Sequence, residues 1–341
     1  MRALLAALYS RDFCQVSTMM KINLKFLTLN VTESCNAACR YCSWGKQKRP
    51  AELLSRLLVA VDDAVAIGVR GLRLSGGEPL LRRDMQDLIS YARNRGLATM
   101  MCTAANQRPE SLITCAEAGL DVLSISLDTC DPVVFKYIRG YDIEVVLSNI
   151  SALAALRSRL GFEIVLSVVL TRPSLAGLSP LLGFAISQDL VVNITPFQNG
   201  TPSYNFAMSD LAVRPEDESA LRRAVDTACE AAGHGLRLLN SDEFLMGIID
   251  FCMTSRLPDG YTCCAGCEAA IRMAGGEIKL CHSLPGIQAA DIRTAWFSDE
   301  AAALRDRMSR LDCPHCWLSC HADRRRKIPI RFGRTDILEA I

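Results

Sequence analysis

The stretch Phe26-Leu27-Thr28-Leu29-Asn30-Val31-Thr32-Glu33-Ser34-Cys35-Asn36-Ala37-Ala38-Cys39-Arg40-Tyr41-Cys42 joins an apolar, alternating run to three thiols separated by three and then two residues. The run predicts a β-strand at Phe26 to Val31, and the polar residues after it place the thiols on the loop at its end. Three cysteines so close are not explained by packing. They can present three thiolates to one metal cluster and leave a coordination position open. A closed electron-transfer cluster would normally have a fourth cysteine nearby, and an open position is what distinguishes metal sites that do chemistry from structural ones. Taken alone, the spacing also suits a zinc or redox knot.

Further apolar runs, several of them rich in β-branched residues, recur at Leu72 to Leu74, Ala98 to Cys102, Val122 to Leu127, Ile164 to Leu170 and Val191 to Ile194. Helical stripes lie between them: Leu53, Leu57, Val61 and Ala64; then Met85, Leu88, Ile89 and Ala92; then Val146, Ile150, Leu153 and Leu156. Six strands each followed by a helix predict an α/β protein with a parallel sheet, its ligands at the strands' C-terminal ends. Periodicity alone suits an incomplete barrel or an open doubly wound sheet.

The chain has 341 residues with 38 basic and 37 acidic side chains, a net charge of +1. This balance argues against a sequence-independent nucleic-acid binder, which needs a basic excess. The apolar run at Ala3 to Tyr9 is closed by Arg11 and Asp12 and lacks the form of an export signal. No run approaches the length of a membrane span. Sixteen cysteines in a chain long enough to fold without disulfides point to metal or redox chemistry, and the compartment expected is a reducing cytosol.

The CxxxCxxC loop resembles the signature of the radical SAM enzymes. The resemblance implies that Cys35, Cys39 and Cys42 hold a 4Fe-4S cluster whose open iron binds S-adenosylmethionine, and that Tyr41 lies beside the adenine. In this family one electron from the cluster cleaves S-adenosylmethionine to a 5'-deoxyadenosyl radical, which takes a hydrogen atom from the substrate. Ser75-Gly76-Gly77-Glu78-Pro79-Leu80 is similar to the family's GGE motif. Its reading here is that Gly76 and Gly77 let backbone approach the methionine amino group and that Glu78 supplies it a carboxylate. Ser124-Ile125-Ser126-Leu127-Asp128 resembles the ribose-contacting segment, with Ser126 and then Asp128 as the contacts. The fold implied is a partial (β/α)6 TIM-like barrel over residues 21–200, preceded by an arm at 1–20. Linker helices at 201–255 and a small cysteine-rich domain at 256–341 complete the expected organisation.

That tail carries seven cysteines from Cys263 to Cys320. A glycine turn before Cys281 and a distant CxxC at Cys313 and Cys316 are similar to the SPASM and twitch extensions. The resemblance implies one auxiliary 4Fe-4S cluster on Cys263, Cys281, Cys313 and Cys316. Cys264, Cys267 or Cys320 can substitute in the register, and a four-cysteine zinc site has the same pattern. A thiol outside the cluster can return a hydrogen atom to a substrate radical; Cys252, Cys264, Cys267 and Cys320 are the candidates. Cys14, Cys102, Cys115, Cys130 and Cys229 read as small buried hydrophobes.

Arg172, Asn193 and Gln198, at strand ends, are the expected substrate contacts. The substrate expected is a small polar natural-product intermediate, a sugar, aminoglycoside or nucleoside, oxidised or epimerised at carbon as in antibiotic biosynthesis. A ribosomally made peptide and a non-catalytic iron-sulfur or zinc scaffold are the alternatives. Only about 24 residues precede the first strand, whereas peptide-modifying relatives often carry a recognition domain there. The chain also ends Leu338-Glu339-Ala340-Ile341, without the Gly-Gly tail of the molybdopterin-precursor synthases, which are similar in length and architecture. The expected partners are the small-molecule substrate and an external one-electron donor of flavodoxin or ferredoxin type, with no nucleic acid and no membrane.

Overall fold

A computed structural model describes residues 22–44, 51–199, 208 and 210–322. The expected N-terminal arm, Cys14, the side chain of Cys320 and the last residues of the tail lie outside the described residues.

All six expected strands form, most of them a residue or two longer: β1 (Phe26–Thr32), β2 (Gly71–Gly76), β3 (Ala98–Thr103), β4 (Val122–Ser126), β5 (Glu163–Leu170) and β6 (Val191–Pro196). They pair in parallel and in sequence order. The intervening helices are α1 (Leu54–Ile67), α2 (Met85–Asn94), α3 (Pro109–Glu117), α4 (Pro132–Arg139), α5 (Ile143–Leu160) and α6 (Leu178–Ser187).

The strands' two faces settle the choice between barrel and doubly wound sheet. Leu27, Leu29, Leu72, Leu74, Met101, Leu123, Ile125, Leu166 and Ile194 share one core with the helical residues Leu57, Val61, Leu88, Ile89, Ile150 and Leu181. The alternate strand residues Phe26, Ala98, Met100, Val122, Val165 and Val191 cluster only with each other and with Leu239. Helices therefore cover a single face, and the other face curls inward as the lumen of a partial barrel. Successive side chains on a strand point to opposite faces, so this division follows directly from the alternation.

The tail is less separate than expected. Beyond α7 (Glu218–Gly233), β7 (Arg237–Leu238) extends the sheet beside β6, and α8 (Asp242–Thr254) follows. The span expected as linker thus contributes a strand. On the opposite edge β8 (Ala269–Arg272) pairs in parallel with β1, Phe26 opposite Ala269 and Leu29 opposite Arg272, and β9 (Ile278–Lys279) returns antiparallel to it. Among the described residues the sheet order is β7-β6-β5-β4-β3-β2-β1-β8-β9, and it is not closed. The cysteine-rich segment covers the free edge of β1, which would otherwise offer unpaired backbone groups. Strands of two and four residues are too short to signal themselves by alternation. The chain then forms α9 (Ile292–Trp296) and α10 (Asp299–Ser309). Among the described residues no helix is long and apolar enough to cross a membrane.

Candidate active site

The cluster loop is gripped by the end of β2. Gly77 N–H donates to Thr32 O at 2.8 Å and Glu78 N–H to Ser34 O at 2.9 Å. A Cβ on Gly76 would stand 2.2 Å from Thr32 O, and one on Gly77 2.0 Å from Ser34 O. Gly76 also has φ +122°, a conformation that favours glycine. Their close approach, expected toward a ligand, is thus made to the backbone leading into Cys35.

Burial raises the Cys35 thiol, and the charges of Glu78 and Cys39 add to this. Cys42 is pushed up to about 11 by burial first and then by Cys39 and Cys35. The three thiols are therefore close enough to feel one another. Each thiolate of a four-iron cubane holds its own iron, so its ligands need not meet at one point. Among the described residues no three metal-ligating side chains do. Tyr41 is buried, its ring 5.6 Å from that of Phe197, and its hydroxyl has no hydrogen-bond partner among the described residues.

Two expected cofactor contacts have partners within the protein. Glu78 is 1% exposed, and its carboxylate accepts from Leu80 N–H at 3.1 Å, Thr103 Oγ1 at 2.7 Å and Ala104 N–H at 2.8 Å. It ties the loop after β2 to the end of β3. Asp128 is fully buried, and its oxygens accept from Arg139 and from Val169 N–H. Both carboxylates sit at ligand-facing strand ends but turn inward to satisfy buried donors. Ser126 remains half-buried, opposite Ser167 in the register of β4 and β5.

α4 carries the next groups in. Asp131 caps it, accepting from Val133 and Val134 N–H at 2.9 Å, Pro132 opens it, and Gly140 at φ +79° ends it. Ile138 O, near its end, accepts from Arg40 N–H at 2.9 Å, and Arg139 extends toward the cluster loop.

Above the apolar floor the lumen turns polar. Asn30 lies opposite Ser75, and Cys102 opposite Ser124. The Cys102 thiol, expected as packing, hydrogen-bonds to Ser124 and Ser75 and feels the charge of Arg73. Arg73 stands between the core residues Leu72 and Leu74, so it projects from the lumen face of β2. It is half-buried, and no carboxylate pairs with it among the described residues. Sequence reading missed this cation, although Leu72-Arg73-Leu74 on a strand carries the alternation that reveals it.

The expected substrate contacts fare differently. Asn193 is on the lumen face, opposite Ser167, and accepts from Asn240 Nδ2 at 3.3 Å. Arg172 is paired with Asp217 at 3.1 Å and braces the start of α7. Gln198 is buried and bonded to the backbone of Trp317. A strand-end position fixes neither direction nor partners, and these two side chains serve the packing of neighbouring segments.

In the tail, Cys263 is pushed up to about 12, by burial first and then by Cys264, Cys281 and Cys313. Burial and then Cys281 raise Cys313. Cys263, Cys281 and Cys313 thus lie within electrostatic reach of one another, though they do not converge on one point. Cys263 Sγ accepts from Ala265 N–H at 3.5 Å and Cys281 Sγ from Ser283 N–H at 3.4 Å. Cys316 is half-buried beside the fully buried Trp317. Of the hydrogen-donor candidates, Cys264 adjoins Cys263, and Cys267 lies within the field of Arg305. Cys252, on α8, lines a cavity of about 430 Å³ together with Phe197, Gln198, Asn199, Cys313 and His315.

Residues 29–171 match the family model described as the radical SAM superfamily. The chain is 36% identical over 132 residues to a probable GTP 3',8-cyclase of Methanococcus maripaludis, covering 37% of this chain and 44% of that protein. Against a GTP 3',8-cyclase of Pseudomonas putida it is 28% identical over 277 residues, 76% of this chain and 78% of that protein. The chain spans less than two thirds of the length of the first curated relatives it matches. Among solved structures, Streptococcus suis SuiB bound to the precursor peptide SuiA superimposes with a TM-score of 0.69 at 16% identity, over 89% of this chain and 73% of that one. Native anSMEcpe with bound AdoMet gives 0.60 at 15% identity, over 84% of this chain and 83% of that one. At these identities the likeness is one of fold.

Proposed function

Because the chain belongs to the radical SAM superfamily, we propose that it removes a hydrogen atom from a small, polar, anionic substrate of nucleotide class held in the barrel lumen. Cys35, Cys39 and Cys42 fit the open four-iron cluster: they share one loop at the mouth of the sheet, and the loop is fixed by the paired glycines of β2. Cluster and S-adenosylmethionine together, when bound, supply a radical able to take hydrogen from carbon. The chain's own part is to bind the substrate, orient it and limit the fate of the substrate radical.

The observation that carries the substrate class is Arg73, a lumen cation with no carboxylate partner among the described residues, close to Cys102, whose thiol meets Ser75 and Ser124. A half-buried guanidinium without a carboxylate partner among the described residues suits an oxyanion, and the polar groups of the lumen suit a sugar or base. The names of the curated relatives, whose substrate is GTP, support the same class. The expected natural-product oxidation finds no such support.

Cys263, Cys281 and Cys313 suit an auxiliary cluster, with Cys316 as the fourth ligand in the reading favoured here. Cys252 lines the cavity between β6, α8 and the tail, and burial keeps its thiol protonated at neutral pH, which supports it among the hydrogen-donor candidates.

Anaerobic reconstitution with iron, sulfide, dithionite and S-adenosylmethionine tests this reading. It expects about eight irons per chain and 5'-deoxyadenosine whose formation is stimulated by GTP or another nucleotide. Absence of 5'-deoxyadenosine from fully loaded protein rejects the enzyme. Stimulation by neutral nucleosides equal to that by nucleotides rejects the anionic substrate.

A further inference from the structure

Arg139 is 7% exposed, and three of its nitrogens have distinct partners. Nε donates to Asp128 Oδ2 at 2.7 Å, Nη2 to Asp128 Oδ1 at 2.7 Å, and Nη1 to Cys39 Sγ at 3.9 Å. Asp128 is itself fully buried, and its Oδ1 also accepts from Val169 N–H at 2.9 Å. The carboxylate is thus anchored to β5, and the two-pronged pair holds the guanidinium plane. What remains of the fork is aimed at one sulfur of the CxxxCxxC loop. The Arg139 guanidinium also lies 5.5 Å from the centre of the Tyr41 ring, which closes another side of the site.

From this geometry we infer that the Asp128–Arg139 pair is a fixed, charged hydrogen-bond donor to Cys39 that raises the reduction potential of the cluster bound there. Arg139 is the donor, and Asp128 is the positioning residue. The inference rests on the reading of Cys35, Cys39 and Cys42 as cluster ligands. Cluster potentials depend on net charge, burial and hydrogen bonds to the sulfurs. On reduction the cluster takes one electron from an external one-electron donor and no atom is transferred, so the added negative charge is spread over the iron and its sulfurs. A cationic N–H at a ligand sulfur stabilises that form more than the oxidised one, and the buried setting strengthens the effect. Lysine would not reproduce it, because a point charge cannot both bridge Asp128 and direct a separate N–H at Cys39.

The test is an EPR-monitored redox titration of the full reconstituted chain, following the signal that S-adenosylmethionine perturbs, which separates the first cluster from the auxiliary one. Two variants are compared with wild type: Arg139→Lys, and the double change Asp128→Leu with Arg139→Leu, which leaves no unpaired buried charge. The double variant is expected to keep its iron while its reduction equilibrium falls about tenfold, ~59 mV for a one-electron couple. Arg139→Lys is expected to fall in between. Equal midpoints in wild type and double variant, with iron intact, overturn the inference. Loss of the first cluster from both variants also overturns it, since the pair is then only a structural support. Failure of wild type itself to assemble a cluster on the three cysteines rejects the underlying reading instead.

Discussion

Gln198 and Trp317 are bonded to each other twice, the Gln198 Nε2 donating to Trp317 O at 3.3 Å and its Oε1 accepting from Trp317 N–H at 3.2 Å. The loop after β6 therefore holds the residue next to Cys316 although 119 positions separate them. Trp317 is fully buried, stacks on Phe244 with ring centres 5.5 Å apart, and donates its indole N–H to Phe244 O at 2.9 Å. The tail is thus joined to the barrel here as well as along β1.

Replacing Gln198 by Leu leaves a buried N–H and C=O of Trp317 without these partners. The expected cost is about 1–3 kcal/mol, read as a lower urea midpoint of the full chain. Loss of the tail's iron before that of the first cluster is expected to accompany it. An unchanged midpoint would show that the pair of hydrogen bonds between these residues contributes nothing.

Gly77→Ala drives a Cβ to within 2.0 Å of Ser34 O, so the segment entering Cys35 must move. Overpacking of this kind costs about 1–3 kcal/mol. We expect a lower melting temperature and weaker binding of S-adenosylmethionine to the reconstituted protein. Gly183→Ala, where nothing lies within 4 Å of the added carbon, serves as the control and should leave both unchanged.

Cys252 is pushed by burial from the ordinary 9.0 up to about 12. A thiol raised in the folded state favours folding fully below pH 9.0, and the contribution is lost as pH rises toward about 12. Stability to urea should therefore decline across that window, and less steeply in Cys252→Ala. At neutral pH the S–H is intact, so solvent deuterium should reach the product carbon through it. Turnover of Cys252→Ala in deuterated water is expected to give no such label, and persistence of the label would remove Cys252 from the reaction.

Arg73→Gln takes the cation out of the lumen while keeping a polar side chain. Charge-assisted hydrogen bonds contribute about 1.5–3 kcal/mol, so the Kd for a nucleotide should rise roughly ten- to hundredfold, measured by equilibrium dialysis. Affinity for S-adenosylmethionine should not change. A parallel loss of S-adenosylmethionine binding would instead assign Arg73 to the cofactor.

The strands were legible because each carries its own alternation: Leu27, Leu29 and Val31 announce β1 without reference to anything distant. The cluster loop was legible for a similar reason, its three thiols being close in sequence. The short strand β8 was not, because its four residues form a strand only against β1, more than two hundred positions away. The protein partners of Glu78 and Asp128 were not legible either. Motif position put them at the right strand ends, but only the packing of β3, β5 and α4 supplied the donors that turn them inward.

By itself, the amino-acid sequence determined the order of βα units and the location of the first thiol cluster, since both are encoded in spacings of a few residues that fix dihedrals and faces locally. Only the tertiary structure decided which tail thiols feel one another, that Arg73 has no carboxylate partner among the described residues, and that Arg139 reaches Cys39 from 100 positions away. Those relations depend on register between distant strands and on which buried donor finds which acceptor, and no local pattern carries that information.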